Sequence, residues 1–430
     1  MVSQRWIKKV LYILLGFCMF GFIVKWIKPI KTKATDAVYL RNVWAVSELS
    51  KEQRKAEELR EVGQVNKERR ERIQRVCSLK EKGLRMNKSR REISSHMYID
   101  RKHKLTYCYL LKSGFTFWGT LFKIVAGVFN TTSPFDPDIF YKRATPVASL
   151  QALPQKERAP FFNNSFSFMF TRDPYTRLLS GYTDKLFMPN SHWQSVAPSI
   201  ARVARRRHQT CVPDIEFKEF IKYIIHSEEH GEGRDAHYHF AFNFCDPCQY
   251  KYDFIGQMET IKQDTMYLLD KMNQSKVIQS LEKDLRRQYA NFTITERVDM
   301  LFRSKGSSYS CKENFFKIQQ KIWKGFQMNG IISTKSRYPI SEEDSNRITP
   351  KEFRDAVIKA IGDAADGDVS RRNKEEAMLE AYSTVDTADM EKLSKLLQPD
   401  CEVFGYDCRP DKLFKDRKYI KPWYFDISTA

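Results

Sequence analysis

Acidic residues are in short supply in this 430-residue chain: 53 Asp and Glu stand against 73 Lys and Arg, a formal net charge of +20. That deficit excludes a cationic partner and calls for an anionic one: nucleic acid, anionic lipid or an acidic polysaccharide. The stretch that most resembles a phosphate loop, residues 105–126 (LTYCYLLKSGFTFWGTLFKIVA), lacks the GxxxxGK[ST] pattern of a Walker loop, its lysine standing too early. An ATP- or GTP-dependent kinase is therefore disfavoured. No small-x-small cleavage site follows the fifteen uncharged residues 10–24 (VLYILLGFCMFGFIV); Lys25-Trp26-Ile27-Lys28-Pro29 does, which argues against a cleaved signal peptide. A hydrophobic fraction of 42%, with 30 Phe and 20 Tyr, excludes a disordered chain.

With Trp6, Ile7, Trp26 and Ile27 the uncharged run approaches the ~20 residues of a spanning helix, and tryptophans at both ends suit the membrane interfaces. The expected organisation is a short cytoplasmic tail and single transmembrane anchor (1–28), a charged stem (29–97) and a luminal domain (98–430). Within the stem, residues 50–75 are dense in Lys, Arg and Glu and read as a solvated helix or spacer, not a core element. A short span suits the thinner membranes of the early secretory pathway. Sequons at Asn87, Asn130, Asn163, Asn273 and Asn291 point to a glycoprotein. Of nine cysteines, Cys18 lies in the uncharged run, leaving Cys77, Cys108, Cys211, Cys245, Cys248, Cys311, Cys401 and Cys408. An even luminal set is expected to form disulfides whose pairing the sequence does not reveal. His237 and His239 beside the Cys245-x-x-Cys248 pair form a weaker zinc pattern. A luminal address removes nucleic acid as a partner and leaves an acidic glycan.

Two stretches share one grammar. In the first, a buried strand (105–111) runs into Lys112, a bend at Gly114 and a helix from about Phe117, with Thr116 as its expected N-cap. Such a junction offers free N–H groups, a hydroxyl and an ammonium at the positive end of a helix dipole. In the second, 161–177 (FFNNSFSFMFTRDPYTR), a strand with one buried face is expected over 165–171. Asp173-Pro174 then starts a helix to about Phe187. Arg172 stands at that junction, and Arg177 and Ser180 share a helix face with Asp184 one turn on. These residues form either an anion clamp or a structural salt-bridge set, Arg172 with Asp173 and Arg177 with Asp184.

Taken together, YCYLLKSGFTFW and FMFTRDPYTRLLSGYTDKLF resemble the membrane-bound carbohydrate sulfotransferases, specifically the chondroitin/dermatan 4-O-sulfotransferase and HNK-1 sulfotransferase group. Their RDPxxRLxSxxxDK pattern stands complete as Arg172, Asp173, Pro174, Arg177, Leu178, Ser180, Asp184 and Lys185. The first pattern is looser: Lys112, Thr116 and Trp118 match, but Phe115 replaces a Cys, and Gly119 and Thr120 replace a Lys-Arg pair. A third match covers 235–259, with His237, Cys245, Pro247, Cys248, Tyr252, Asp253, Gly256 and Glu259 in register and Tyr238 for Trp. A fourth, weaker one is the Phe404-Gly405-Tyr406 ending. Residues 312–385 diverge and are read as a helical insertion.

The resemblance implies an α/β fold, a P-loop-like parallel sheet flanked by helices. It implies 3′-phosphoadenosine 5′-phosphosulfate (PAPS) as co-substrate and no metal. It places Lys112, Ser113, Gly114 and Thr116 on the 5′-phosphosulfate, Arg172 and Ser180 on the 3′-phosphate, and Lys112 and His237 in catalysis, with Glu259 or Asp184 as alternative bases. The acceptor would be GalNAc in chondroitin or dermatan, or an HNK-1-type glycan. The basic run Arg202, Arg205, Arg206 and Arg207 suits the polyanion. The altered first motif also permits a luminal glycan-binding protein without turnover.

Overall fold

The computed structural model describes residues 50–80, 90–140, 142, 145–232, 234–307, 311–361 and 367–430. The expected anchor at 10–24 and the sequon at Asn87 lie outside these residues. Among the described residues no helix is long and apolar enough to cross a membrane. The chain divides into two compact units, 1–60 and 61–430. In the first, residues 50–60 are described and are helical from Lys51; everything below concerns the second.

Four strands, β1 (Met97–Asp100), β2 (Leu105–Cys108), β3 (Phe166–Thr171) and β4 (Phe254–Gln257), form one sheet in chain order. β1 pairs antiparallel with β2, while β2, β3 and β4 run parallel. The longer helices, in chain order, are α1 (Lys51–Lys80), α2 (Phe115–Val125), α3 (Gln155–Asn163), α4 (Pro174–Tyr182), α5 (Ala197–Arg205) and α6 (Phe217–Glu229). They continue with α7 (Ile261–Lys271), α8 (Ser275–Ser304), α9 (Phe315–Met328), α10 (Pro350–Lys359), α11 (Gly367–Ser383) and α12 (Thr387–Phe404).

Period-two alternation sends the register-matched Tyr107, Phe168 and Phe254 to one face of the sheet and Cys108, Met169 and Ile255 to the other. The first set packs on Trp118, Leu121 and Phe122 of α2, Leu268 and Leu269 of α7 and Val277 and Ile278 of α8. The second packs on Ile73 of α1, Phe242, Phe244 and the end of α12. β3 was expected to bury one face, but all of its residues after Phe166 are buried. Parallel strands are covered by helices on both sides, so the small residues of the alternation, Ser167 among them, are inside as well. β2 ends at Cys108 rather than at residue 111. A third core joins α4, α5, α6 and α8 to α9–α12, with Trp193, Trp323 and Tyr382 fully buried in it.

The expectation that 50–75 stays out of the core fails on one face of α1. Residues 62, 66, 69, 73 and 76 form a helical stripe whose members are all buried or half-buried. Two of them, Asn66 and Arg69, are polar, which hides the stripe from a hydrophobic reading. Asn66 donates to Asp253 O (3.0 Å) and accepts from Ile255 N (3.0 Å), satisfying the outer edge of β4 as a neighbouring strand would. The Arg69 guanidinium donates to both oxygens of the buried Asp264 carboxylate (3.1 and 2.9 Å), to Ile255 O and to Thr260 Oγ1.

All eight cysteines of the 77–408 set are paired: Cys77–Cys248, Cys108–Cys245, Cys211–Cys311 and Cys401–Cys408. Cys245 and Cys248 thus bind separate partners, on β2 and α1, and offer no thiolates to zinc. Arg69→Ala leaves Asp264 buried without its counter-charge and is expected to cost about 3–5 kcal/mol of unfolding free energy. Urea midpoints with the disulfides intact measure it. Arg75→Ala, exposed on the same helix, should stay within about 0.5 kcal/mol.

Candidate active site

The carboxyl ends of three adjacent parallel strands meet at one edge of the sheet, the place where open α/β sheets bind ligands. The loop after β2 carries Lys112, the loop after β3 carries Arg172, and the turn Met258–Thr260 after β4 carries Glu259.

In the first loop Lys112 (φ 67°) and Gly114 (φ 79°) both adopt the left-handed conformation. Gly114 is required there, since a Cβ would also come 2.9 Å from Met258 Sδ. For Lys112 this conformation costs about 1–3 kcal/mol, a strain typical of functional loops. Gly114, not Thr116, is the N-cap of α2, and no side chain caps it. The bend at Gly114 starts the helix two residues earlier than expected, so Thr116 lies exposed within the first turn. The first-turn N–H groups therefore lack a capping side chain. Beside them Ser113 is fully buried, and among the described residues its Oγ has no hydrogen-bond partner. An uncapped helix start with an unpartnered buried hydroxyl suits an anion.

In the second loop Asp173 caps α4, accepting from Thr176 N (2.8 Å), while its own N–H donates to Glu259 Oε1 (2.9 Å). Glu259 Oε2 accepts from Tyr406 Oη (3.1 Å), which also touches Thr171 Oγ1. Asp173 thus pairs with the helix rather than with Arg172. Arg172 Nη1 instead reaches the Lys112 carbonyl at 3.4 Å, joining the two loops. Arg177 does not pair with Asp184. Its buried guanidinium donates to Leu111 O (3.0 Å) and to His239 O, and burial pulls its pKa down to about 10. Ser180, one turn along α4, is half-buried.

Asp184 has other partners. It lies in a π-helical turn, Thr183–Phe187, with Lys112 Nζ at 2.8 Å, Arg297 of α8 at 2.7 Å and Lys185 at 3.3 Å. Burial alone would raise its pKa, but Lys112, Arg297 and Lys185 hold it well below the carboxylate range. Burial lowers Lys112, which Asp184 opposes and Lys185 and Arg297 reinforce. Three cations on one carboxylate leave the site positive. Arg297 had no sequence signal: it sits in a long polar helix, and only packing brings it here.

His237 enters from the turn before the short helix Ala241–Cys245. Gly181 of α4 lets that turn approach, for a Cβ there would meet Tyr238 at 3.0 Å and His237 O at 3.4 Å. His237 Nδ1 is hydrogen-bonded to Asp235 Oδ1, so Nε2 is the nitrogen left for a substrate. Burial lowers the His237 pKa against the pull of Asp235, and the charges of Lys185 and Lys112 lower it further. Ligand-type atoms of His192, Asp235 and His237 lie within 4.8 Å of one another. The two lysines that act on His237 disfavour a metal ion in that set. His239 is not part of it; its carbonyl serves Arg177.

The departures in the first motif pack together. The Phe115 ring lies 4.9 Å from that of Tyr109 and covers Gly119, where a Cβ would meet it at 3.2 Å. Thr120 is buried, its hydroxyl donating to Thr116 O (2.8 Å). A long cation at 119 would clash with Phe115, so the exchanges at 115 and 119 belong together.

Asp184→Asn removes the charge that opposes the effect of burial on Lys112, so the Lys112 pKa is expected to fall further. Mass-spectrometric rates of amine acylation at Lys112 near neutral pH should rise several-fold over the parent.

Residues 95–312, half of the chain, match a family model described as "Sulfotransferase family". Similar proteins include carbohydrate sulfotransferase 14 of Danio rerio, 27% identical over 187 residues, covering 43% of this chain and 50% of that protein. Carbohydrate sulfotransferase 9 of Homo sapiens is 29% identical over 182 residues (41% of this chain, 40% of that protein). Carbohydrate sulfotransferase 11 of Rattus norvegicus is 28% identical over 200 residues (43% and 56%). The chain spans about half the length of these curated relatives, and no solved structure matches it. Because the matched region carries the loops after β2, β3 and β4 and the His237 turn, likeness and site coincide, and the chain belongs to the sulfotransferase family.

Proposed function

We propose that the chain is a carbohydrate sulfotransferase that moves a sulfonate from PAPS to a glycan hydroxyl, GalNAc of chondroitin or dermatan being the acceptor best suited to its +20 charge. The observation that carries this is the junction of two anion-ready loops, Arg172 on the Lys112 carbonyl, beside the unpartnered Ser113 hydroxyl. A Golgi address with a type II anchor at 10–24 belongs to the same reading. Four disulfides suit an oxidising lumen, and Asn130, Asn163, Asn273 and Asn291 are all exposed for glycosylation.

PAPS supplies an activated sulfonate on a phosphate leaving group. Ser113, Thr116 and the N–H groups after Gly114 would hold the 5′-phosphate, and Arg172 and Ser180 the 3′-phosphate. Lys112, largely stripped of water, would stabilise charge on the sulfonate and the bridging oxygen. His237 Nε2, neutral near pH 7 because its pKa is lowered, would take the acceptor proton. The alternative bases suit the role less: Glu259 already accepts from Asp173 N and Tyr406, and Asp184 is held anionic by three cations.

Calorimetric titration of the purified full-length chain with PAP, AMP and ATP tests the donor site. Tight binding of PAP alone is expected; absence of PAP binding would overturn the reading and favour a glycan-binding protein without turnover. Arg172→Ala should abolish the preference for PAP over AMP. Lys112→Ala should lower turnover on the order of 10²–10³-fold. His237→Ala should abolish turnover with PAP affinity intact. The acid limb of the turnover profile should lie below the ordinary histidine value of about 6.5, because the base must be deprotonated and its folded pKa is depressed.

A further inference from the structure

One cluster at the site has no role in the family pattern quoted above: the Asp235 carboxylate is shared between two imidazoles. Asp235 Oδ1 takes His237 Nδ1 and also the His237 backbone N–H (2.9 Å). On its other side Oδ2 lies 3.3 Å from Nε2 of His192. His192 is only 8% exposed, and among the described residues its Nε2 makes no hydrogen bond, so the approach to Oδ2 is an ion-pair contact. Its Nδ1 is 2.9 Å from Asn190 Oδ1, which sets the ring's rotation. The neighbouring Trp193 is pinned by Nε1 to Leu186 O (2.7 Å) and by its carbonyl to Val212 N (2.8 Å). The two imidazoles meet edge-on, with centroids 5.3 Å apart.

We propose that Asp235 and His192 are positioning residues for the transfer reaction, Asp235 orienting His237 and His192 drawing part of the carboxylate's charge away from it. The proposal rests on the reading of His237 as the base. A carboxylate serving one imidazole fixes its tautomer and raises its basicity. A second imidazole at ion-pair distance from the same carboxylate draws on its charge and limits that rise, leaving His237 oriented with its pKa lowered. As the acceptor oxygen bonds to sulfur, its O–H bond breaks and the proton passes to His237 Nε2. The bond from sulfur to the phosphate oxygen breaks with its electron pair leaving on PAP. Asp235 then faces a full imidazolium and stabilises it without taking the proton. The groups around His237 are Asp235 on its own turn, His192 on the short helix His192–Ser195, Lys185 on the π turn and Lys112 after β2, with Asp184 as the lysines' partner. Burial, Lys185 and Lys112 oppose protonation and Asp235 favours it, so how much of the carboxylate His192 engages bears on where His237 titrates.

The two substitutions have opposite signs. Asp235→Asn removes the carboxylate that favours imidazolium, so the His237 midpoint should fall, its tautomer should change and turnover should drop on the order of 10²–10⁴-fold. His192→Phe, which has no donor, leaves the whole carboxylate to His237, so the midpoint and the acid limb of turnover should rise. Side-chain ¹⁵N spectra of the histidine-labelled full-length chain read the midpoints without any acceptor. Turnover on desulfated chondroitin and calorimetry with PAP accompany them. Midpoints that stay put, or move the same way in both variants, overturn the proposal, since a merely structural role moves stability and not both midpoints oppositely. Stoichiometric Zn²⁺ binding by the parent, lost in both variants, would overturn it in favour of a metal centre. The base itself is judged separately: normal turnover in His237→Ala sinks that reading, whereas a dead His237→Ala with unmoved midpoints in the other two variants sinks only the positioning role.

Discussion

The buried guanidinium of Arg177 sits where three pieces of chain must be held together. From α4 it bonds the carbonyl of Leu111, just before Lys112, and the carbonyl of His239, just after the His237 turn. Both groups are backbone carbonyls, and the guanidinium donates to each. A charge this deep is costly alone. It is balanced by Asp400 of α12, which in turn accepts from the N–H groups of Ala241 and Phe242. The distance between the lysine loop and the histidine turn thus depends on one side chain and on the helix that counters it. The Cys108–Cys245 disulfide ties the same two segments one layer further from the site.

Around this frame the electrostatics are unbalanced toward cations. Asp184 is surrounded by Lys112, Lys185 and Arg297, and Arg172 has a carbonyl rather than a carboxylate as its hydrogen-bond partner. Such a surplus in a half-buried place is unfavourable until an anion arrives, which is how sites for multiply charged ligands are built. Burial lowers the pKa of His237 and the same surplus lowers it further, so donor binding and base strength draw in part on one set of charges. A dianion arriving beside Lys112 would weaken the field that depresses His237.

Much of the site was legible because its chemistry is local. Asp173 before Pro174 caps α4 as its residue types require, and Lys112, Gly114 and Arg172 stand at strand-to-helix junctions because those junctions are short. Thr116 was misplaced by two residues, since the left-handed bend at Gly114 starts α2 early. The salt-bridge alternative for the second motif does not form, because Asp184 meets Lys112 and Arg297 from distant segments. The role of α1 was hidden because its buried stripe contains an Asn and an Arg, whose partners Asp264, Asp253 and Ile255 lie about 190 positions away.

By itself the sequence determined the alternation of strands and helices, the two anion-ready junctions, the demand for an anionic ligand and the readiness of eight cysteines to pair. These follow from propensity, capping and composition, which act over a few residues or over the whole chain at once. Tertiary structure decided which cysteine joins which, that Arg177 is structural while Arg297 enters the site, and that Asp235 lies between two histidines. Each depends on groups far apart in the chain being brought within a few ångströms, and spacing in sequence carries no record of that.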